Sequence, residues 1–164
     1  MATLCFVATL WAIPRAEYPR PQFERTDWVN LNGDWTYAFD FVGSGMEKAF
    51  HQSQGFDGKI TVPFCPESKL SGVGYTDFIN NIWYQRSISV PQEWAGKRVR
   101  LNFGAVYYNS EIYIDGKLAG RHFGGSTSFG VDITPFVADG KTHSLVVHAY
   151  SDTRTNLQPA GKQN

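Results

Sequence analysis

The sequence lacks the features that mark several common classes of protein. Only two cysteines, Cys5 and Cys65, occur among its 164 residues. These are too few for a disulfide framework, and we expect Cys65 to be a free, buried thiol. Fifteen lysines and arginines balance fifteen aspartates and glutamates, so no basic surface for nucleic acid is expected. No apolar run is long enough to span a bilayer. The composition therefore predicts neither a nucleic-acid partner nor a membrane partner.

Motifs for metal binding and for common catalytic chemistry are missing as well. The two cysteines do not form a CxxC pair, and the four histidines include no pair at the spacing of metal ligands. There is no GxSxG nucleophile elbow and no GxxxxGK(S/T) phosphate loop. We therefore expect this chain to hold no metal, no cofactor and no catalytic residue.

Aromatic residues and turn-forming residues are abundant. Phe, Trp and Tyr make up 15% of the chain, with sixteen glycines and eight prolines, and this combination favours an all-β domain. About eight short segments have the composition of strands and are separated by turn signals. They are 34–41, 60–62, 83–90, 98–103, 107–114, 117–123, 129–133 and 145–150. The pattern predicts a β-sandwich of jelly-roll type, with Asp115-Gly116 as a hairpin turn.

Two aromatic side chains can be interpreted in two ways. Tyr75 and Trp83 lie near the polar pair Asn80-Asn81 in the sequence, and exposed rings beside amides would offer a sugar a stacking face and hydrogen bonds. Tryptophans in a small β domain are more often largely buried, so we favour core packing for Trp83. The exposure of the two rings decides between these alternatives.

Several segments, taken in order along the chain, carry a more specific signal. They read WVNLNGDW from Trp28, VPF from Val62, WYQR from Trp83, PQEWAGKRV from Pro91, LNFGAV from Leu101, IDGKLAGRH from Ile114 and FGVDIT from Phe129. The series resembles the N-terminal jelly-roll domain of glycoside hydrolase family 2, the group of β-galactosidases, β-glucuronidases and β-mannosidases. The match runs from about Tyr18 to Gln163. The resemblance implies a galactose-binding-like β-sandwich that binds sugar.

The same resemblance implies an organisation for the chain. Residues 1–17 would be a leader or the remnant of a secretory signal, residues 18–152 the sugar-binding domain, and residues 153–164 a truncated linker toward a missing immunoglobulin-like domain. The catalytic glutamates of the family lie in a later (β/α)8 barrel, and no Asn-Glu dipeptide occurs here. Members of the β-galactosidase branch can use Mg²⁺ or Na⁺, but through ligands mainly in the barrel. The apolar N-terminus favours a periplasmic or secreted location.

The family also suggests where this chain would meet a sugar. In the β-galactosidase branch, a loop at the position of Asp77 leans over the mouth of the barrel, so Asp77 would hydrogen-bond a sugar hydroxyl. Tyr75 and Asn81 are candidates beside it. A segment after the last strand also approaches the substrate, which would place Asp152 and Gln163 near the rim of the pocket. The alternative for Asp77 is a loop residue whose side chain bonds its own backbone.

The expected function follows from these expectations. The chain would be the non-catalytic N-terminal domain of a retaining exo-β-glycosidase and would form one wall of its substrate pocket. Galactose is the favoured sugar, because residues 17–23, 66–78 and 161–163 are close to β-galactosidase-like members, and glucuronide is the next option. Two alternatives remain: a stand-alone carbohydrate-binding module, and a structural docking domain without sugar contact. The barrel and the immunoglobulin-like domain are the expected partners.

Overall fold

The computed structural model describes residues 13–18 and 24–155 of the chain. The regular structure in this part is almost entirely strand, with one helical turn, α1 (Thr134–Val137), and short 3-10 turns at Phe50–Gln52, Lys69–Ser71 and Gln92–Trp94. The strands are β1 (Gly33–Phe39), β2 (Gly58–Val62), β3 (Asn81–Ser89), β4 (Arg100–Phe103), β5 (Asn109–Ile114), β6 (Lys117–Phe123), β7 (Phe129–Asp132) and β8 (Thr142–Tyr150). The all-β prediction is confirmed, and each predicted segment overlaps one of these strands.

The described strands form two antiparallel sheets. The larger sheet has the order β2-β1-β3-β8-β5-β6, and the smaller sheet pairs β4 with β7. β8 lies inside the larger sheet, hydrogen-bonded to β3 on one side and to β5 on the other. These pairings join strands that are distant in the sequence, and they assemble the larger of the two sheets of the predicted sandwich.

The main core lies between the two sheets. Side chains on a strand alternate between its two faces, and the inward-facing ones here are apolar. They include Trp35, Ile60, Ile88, Leu101, Ile112, Ile114, Val131, Leu145 and Val147, each no more than 9% exposed. Gly120 of β6 lies directly against Val131 of β7, where an added Cβ would approach both Cγ atoms at 2.8 Å. The glycine therefore allows the two sheets to meet closely.

The outer face of the larger sheet is covered in part by a second cluster. Trp83, Tyr113 and Val146 pack there under Phe50 and Phe56, which belong to the segment between β1 and β2. Trp83 is only 1% exposed, so core packing is confirmed for this residue and its ring is no stacking platform for a sugar. The pattern of strand residues does not predict that this segment packs over the sheet, because the segment has little regular structure of its own.

The hairpin between β5 and β6 has the predicted geometry. Asp115 and Gly116 have φ angles of 47° and 77°, and a type I′ turn requires positive φ at both central residues. The carboxylate of Asp115 also accepts a hydrogen bond from the Ser144 N–H at 2.8 Å and contacts His143 Nδ1 at 2.6 Å. The turn is thereby fastened to the beginning of β8.

The prediction of a buried thiol at Cys65 is wrong. Cys65 is free and exposed, because β2 ends at Val62 and the chain turns at the surface, where the Ser68 N–H donates to the Cys65 carbonyl at 3.0 Å. Cys5 lies outside the described residues, as do most of the predicted leader and linker. The predicted domain boundaries therefore stay predictions.

Candidate functional site

Three segments meet at one end of the larger sheet. Ser151, just after β8, donates its N–H to the Asn80 carbonyl at 2.9 Å. The side-chain amide of Asn80 donates in turn to the carbonyl of Phe41, just after β1, at 3.4 Å. The guanidinium of Arg154 lies 3.9 Å from the centre of the Phe78 ring. We call this surface, residues 41–42, 75–80 and 151–154, the loop end. The fold thus brings together the two segments that the family resemblance indicated.

Asp77 is the exposed member among the described candidates. Its side chain is 80% exposed, and its Oδ1 lies 4.0 Å from Nη2 of Arg154. Oδ1 also accepts a hydrogen bond from the Phe78 N–H at 2.7 Å, which is the local backbone contact that the alternative interpretation expects. The carboxylate is therefore oriented by its own loop and is still accessible to a ligand.

Tyr75 and Asn81 are held by packing and hydrogen bonding. The half-buried Tyr75 ring lies 4.9 Å from the Phe39 ring and 6.1 Å from the Phe41 ring, centre to centre. Asn81 is only 7% exposed, and its side-chain amide lies 2.9 Å from Nε2 of His148. Tyr75 thus contributes to the loop end, whereas the Asn81 side chain points to the outer face of the sheet.

Asp152 shapes the segment after β8. It is half-buried, and its Oδ1 accepts a hydrogen bond from the Arg154 N–H at 3.1 Å. Its carbonyl accepts a further bond from the Thr155 hydroxyl at 3.3 Å, and this turn carries Arg154 to Phe78. Gln163 lies outside the described residues. The contacts of these candidate residues with a substrate stay predictions.

Polar side chains also cross the outer face of the larger sheet. The Glu111 carboxylate accepts hydrogen bonds from the Tyr113 hydroxyl at 2.7 Å and from Arg121 Nε at 2.8 Å. His148 Nδ1 lies 3.5 Å from the same carboxylate, and the His148 ring stacks on Trp83 with 4.1 Å between centres. We call Glu111, Tyr113, Arg121 and His148 the outer-face network.

Burial and hydrogen bonding set the charges in this network. Burial alone would raise the pKa of Glu111, but hydrogen bonds from Tyr113, Arg121 and His148 lower it below its usual value. Burial lowers the pKa of His148, although the nearby carboxylates of Glu111 and Asp40 oppose this. The network therefore holds one carboxylate, one guanidinium and a neutral imidazole at neutral pH. An ionised and fully engaged Glu111 is not suited to act as a general acid.

The outer-face network was not predicted from the sequence, although part of its signal is present there. Glu111 and Arg121 face each other across the β5–β6 hairpin, and opposite charges at facing positions form cross-strand pairs. Glu111 also faces His148 of β8. That second pairing joins distant segments, so a single sequence does not reveal it.

Metal-ligating side chains do not cluster within residues 13–18 and 24–155, where no three His, Cys, Asp or Glu residues are grouped to hold an ion. The same part of the chain contains no helix with the length and hydropathy needed to cross a bilayer.

The two antiparallel sheets place the chain in the class of jelly-roll, galactose-binding-like β-sandwiches. Within that class, the family described as "Glycosyl hydrolases family 2, sugar binding domain" matches residues 51–156. The chain belongs to glycosyl hydrolase family 2, as the sequence resemblance predicted. The matched range contains the outer-face network and nearly all of the loop end.

Individual relatives share this region at moderate identity. The β-glucuronidase of Felis catus is 30% identical over 151 residues, which cover 84% of this chain and 23% of the relative. The β-galactosidase of Thermoanaerobacter pseudethanolicus is 27% identical over 140 residues, covering 82% and 18%. A solved β-glucuronidase of Lactobacillus rhamnosus superposes with a TM-score of 0.65 at 29% identity, covering 74% of this chain and 21% of that chain. This chain therefore spans about a fifth of the length of these relatives.

Proposed function

We propose that this chain is the non-catalytic N-terminal sugar-binding domain of a glycosidase that releases a terminal β-linked sugar. The family match over residues 51–156 carries the proposal, and relatives named β-glucuronidase and β-galactosidase support it. In this proposal the catalytic carboxylates belong to a barrel elsewhere in the parent protein, and this chain holds no cofactor. Its part is to form one wall of the substrate pocket.

The loop end is the surface proposed for that wall. Asp77 offers a carboxylate that accepts hydrogen bonds from sugar hydroxyls, and Arg154, 4.0 Å away, offers guanidinium donors. Phe41, which is 50% exposed, adds an apolar face beside Tyr75. Because the charges of Asp77 and Arg154 offset each other, this pair by itself does not select between a neutral and an acidic sugar.

The proposal also concerns which sugar the parent enzyme releases. β-Glucuronidase is the name of the Felis catus relative and of the Lactobacillus rhamnosus structure, whereas the Thermoanaerobacter relative is named β-galactosidase. We therefore place a β-glucuronide first and a β-galactoside second. The preference for galactose that the sequence suggested is not confirmed.

Kinetics on the parent protein test the proposed wall. The protein encoded by the whole gene is assayed on nitrophenyl β-D-glucuronide, β-D-galactoside and β-D-mannoside, first as wild type and then as Asp77→Ala. We expect the glucuronide to be the fastest substrate and Asp77→Ala to raise KM by about tenfold with a smaller effect on kcat, because a residue that binds the sugar before and during the reaction contributes mainly to KM.

Asp57→Ala is the matched control, because Asp57 is an exposed aspartate on the segment that covers the outer face. Equal KM values for the two variants would remove Asp77 from the substrate wall. Faster hydrolysis of the galactoside would restore the assignment that the sequence favoured.

The exposure of particular aromatic and apolar side chains bears on the two alternative functions. The hypothesis of a stand-alone carbohydrate-binding module would be supported by an exposed stacking ring at Trp83, but that ring is buried. A docking domain needs an exposed apolar surface, and Phe41 and Val42, at 50% and 82% exposure, provide one. In the proposal the same two residues lie where the chain would meet the barrel, so docking and the formation of the wall are compatible.

A further inference from the structure

The outer face of the larger sheet carries a groove that the proposed function does not use. The groove lies over β5, β6 and β8 and has a volume of about 540 Å³. Its lining includes Asn109, Glu111, Arg121, Phe123, His148 and Tyr150, and we call it the outer groove. Sites for small ligands have volumes of roughly 300–1,000 Å³, so the outer groove is large enough for one.

Two aromatic rings border the outer groove. Phe123 is 68% exposed and Tyr150 is 36% exposed. The Phe123 ring is held from one side by Tyr108, at 4.7 Å between ring centres in an edge-on arrangement. Both rings line the same polar groove, so an apolar face stands beside its hydrogen-bonding groups.

The floor of the outer groove is polar and fixed by its neighbours. Glu111 is engaged by Tyr113 and by Arg121 Nε, and His148 is fixed by its stack on Trp83. The described hydrogen bond of Arg121 uses Nε, which leaves its two Nη groups to a ligand. Side chains that are already ordered lose little conformational entropy when a ligand binds.

An unsatisfied acceptor lies at the same place. Oδ1 of Asn109 is buried and has no hydrogen-bond partner in the described part of the chain. A buried polar atom without a partner is uncommon and calls for a donor. A hydroxyl donor in the outer groove would supply one if the whole Asn109 side chain turned toward the groove.

The charges in the floor of the outer groove indicate which class of ligand would bind there. The Glu111 carboxylate is neutralised by Arg121 at 2.8 Å, and burial lowers the pKa of His148, so the floor has no net charge at neutral pH. Such a floor does not favour an ionic ligand. Apolar rings at the border and hydrogen-bonding groups in the floor match a pyranose, which has an apolar C–H face and hydroxyls that both donate and accept.

We propose that the outer groove binds a neutral saccharide unit, with its ring against Phe123 or Tyr150 and its hydroxyls on Arg121 and Asn109. This assignment goes beyond the proposed pocket wall. It rests on side chains of β5, β6 and β8 rather than on the loop end, so either proposal can fail without the other.

Heteronuclear NMR of the 164-residue chain tests the assignment. The chain is titrated with methyl β-D-galactopyranoside and with lactose as neutral probes, and with D-glucuronate as the acidic comparison. We expect the amide signals of residues 109–111, 121–123 and 148–150 to shift with both neutral probes and to shift less with glucuronate. Phe123→Ala should weaken the binding of the neutral probes by about tenfold, since aromatic anchors dominate small interfaces.

Leu118→Ala is the matched control, because Leu118 lies on the same strand and is 40% exposed, but it does not line the outer groove. Arg121→Gln is a second variant, which tests the floor if the aromatic variants lose their native spectrum. Arg121→Gln should also weaken the binding of the neutral probes.

Each result decides between the two surfaces. Shifts confined to residues 75–80 and 151–154 would overturn the outer-groove assignment and support the loop end. Shifts at the outer groove alone would support the new assignment, and the pocket wall would still be tested by the kinetics of Asp77→Ala in the parent protein. No shift at the outer groove at tens of millimolar sugar would overturn the assignment, as would shifts that persist unchanged in Phe123→Ala, Tyr150→Ala and Arg121→Gln.

Discussion

At the scale of single residues, Asp40 shows how this domain stabilises a buried charge. Asp40 is 4% exposed, and it accepts hydrogen bonds from the Gly45 N–H at 2.7 Å, the Ser44 N–H at 2.9 Å and the Trp83 indole at 3.3 Å. Burial alone would raise the pKa of Asp40, but these hydrogen bonds lower it below its usual value. The carboxylate thereby fastens the start of the covering segment onto Trp83.

Replacement of Asp40 should therefore destabilise the domain. Asp40→Ala leaves the Gly45 and Ser44 N–H groups without their acceptor, and an orphaned buried donor costs about 1–3 kcal/mol. Urea unfolding followed by tryptophan fluorescence measures the loss. Asp57→Ala, at an exposed aspartate of the same segment, should change the stability little. Equal free energies of unfolding for the two variants would contradict this role of Asp40.

The stability of the domain should also fall in acid, in two stages. The first stage belongs to His148, whose folded pKa is lowered from 6.5 mainly by burial. Below that pH the unfolded chain takes up a proton that the folded chain does not, so stability is lost as the pH falls toward the folded pKa. Urea unfolding between about pH 8 and about pH 5 measures this slope, and His148→Gln should flatten it. An identical slope in the variant would contradict the assignment to His148.

The second stage belongs to aspartates. Burial would raise the pKa of Asp115, but hydrogen bonds from His143 and the Ser144 N–H lower it, and the pKa of Asp40 is lowered as well. A carboxylate with a lowered folded pKa stabilises the fold above its ordinary pKa near 3.8, and this contribution is lost as the pH falls through the folded value. We expect a further drop in the free energy of unfolding below about pH 4. Asp40→Asn should reduce that drop, and a drop of wild-type size in this variant would assign it to other groups.

At the scale of elements, the contact between β6 and β7 depends on one glycine. A Cβ at Gly120 would approach both Cγ atoms of Val131 at 2.8 Å, so Gly120→Ala must separate the two sheets locally. Overpacking of this kind costs about 1–3 kcal/mol, which thermal or urea unfolding detects. Gly104→Ala is the control, because no atom lies within 4 Å of an added Cβ there. If Gly120→Ala and Gly104→Ala unfold alike, the sheets are not in contact at Gly120.

Strands and turns whose position depends on neighbouring residues were predictable from the sequence. Strand pairings and packing that depend on distant residues were not. Alternation placed β4 and β8, and Asp115-Gly116 placed the β5–β6 hairpin, because each of these signals is local. The pairing of β8 with both β3 and β5 has no local signal. The cover formed by Phe50 and Phe56 has none either, since its position depends on contacts with Trp83 on a later strand.

The candidate site was predictable only through the family resemblance. It indicated the segments that hold Asp77 and Asp152, and the fold brings those segments to one end. It did not indicate that Asn81 turns away, because that orientation follows from the register of β3 and from a partner, His148, 67 residues further along. It did not indicate Arg154 either, whose position over Phe78 is a matter of geometry.

At the scale of the whole molecule, the fold and the family identify the chain as a sugar-binding domain of glycosyl hydrolase family 2. The loop end gathers a carboxylate, a guanidinium and apolar rings at one edge of the sandwich, and Glu111 is ionised and fully engaged. The chain spans about a fifth of the length of the relatives that it matches. We therefore propose a division of labour, in which this chain binds the sugar and a barrel elsewhere in the parent protein catalyses its release.

The most direct test of that claim compares the hydrolysis of nitrophenyl β-D-glucuronide by the 164-residue chain and by the protein encoded by the whole gene, at equal molar concentration. We expect no turnover by the 164-residue chain, and we expect turnover by the whole protein to be lost when the glutamate of an Asn-Glu pair in the barrel is replaced. Turnover by the 164-residue chain alone would refute the proposed division of labour, as would a whole gene that encodes no barrel with such a pair.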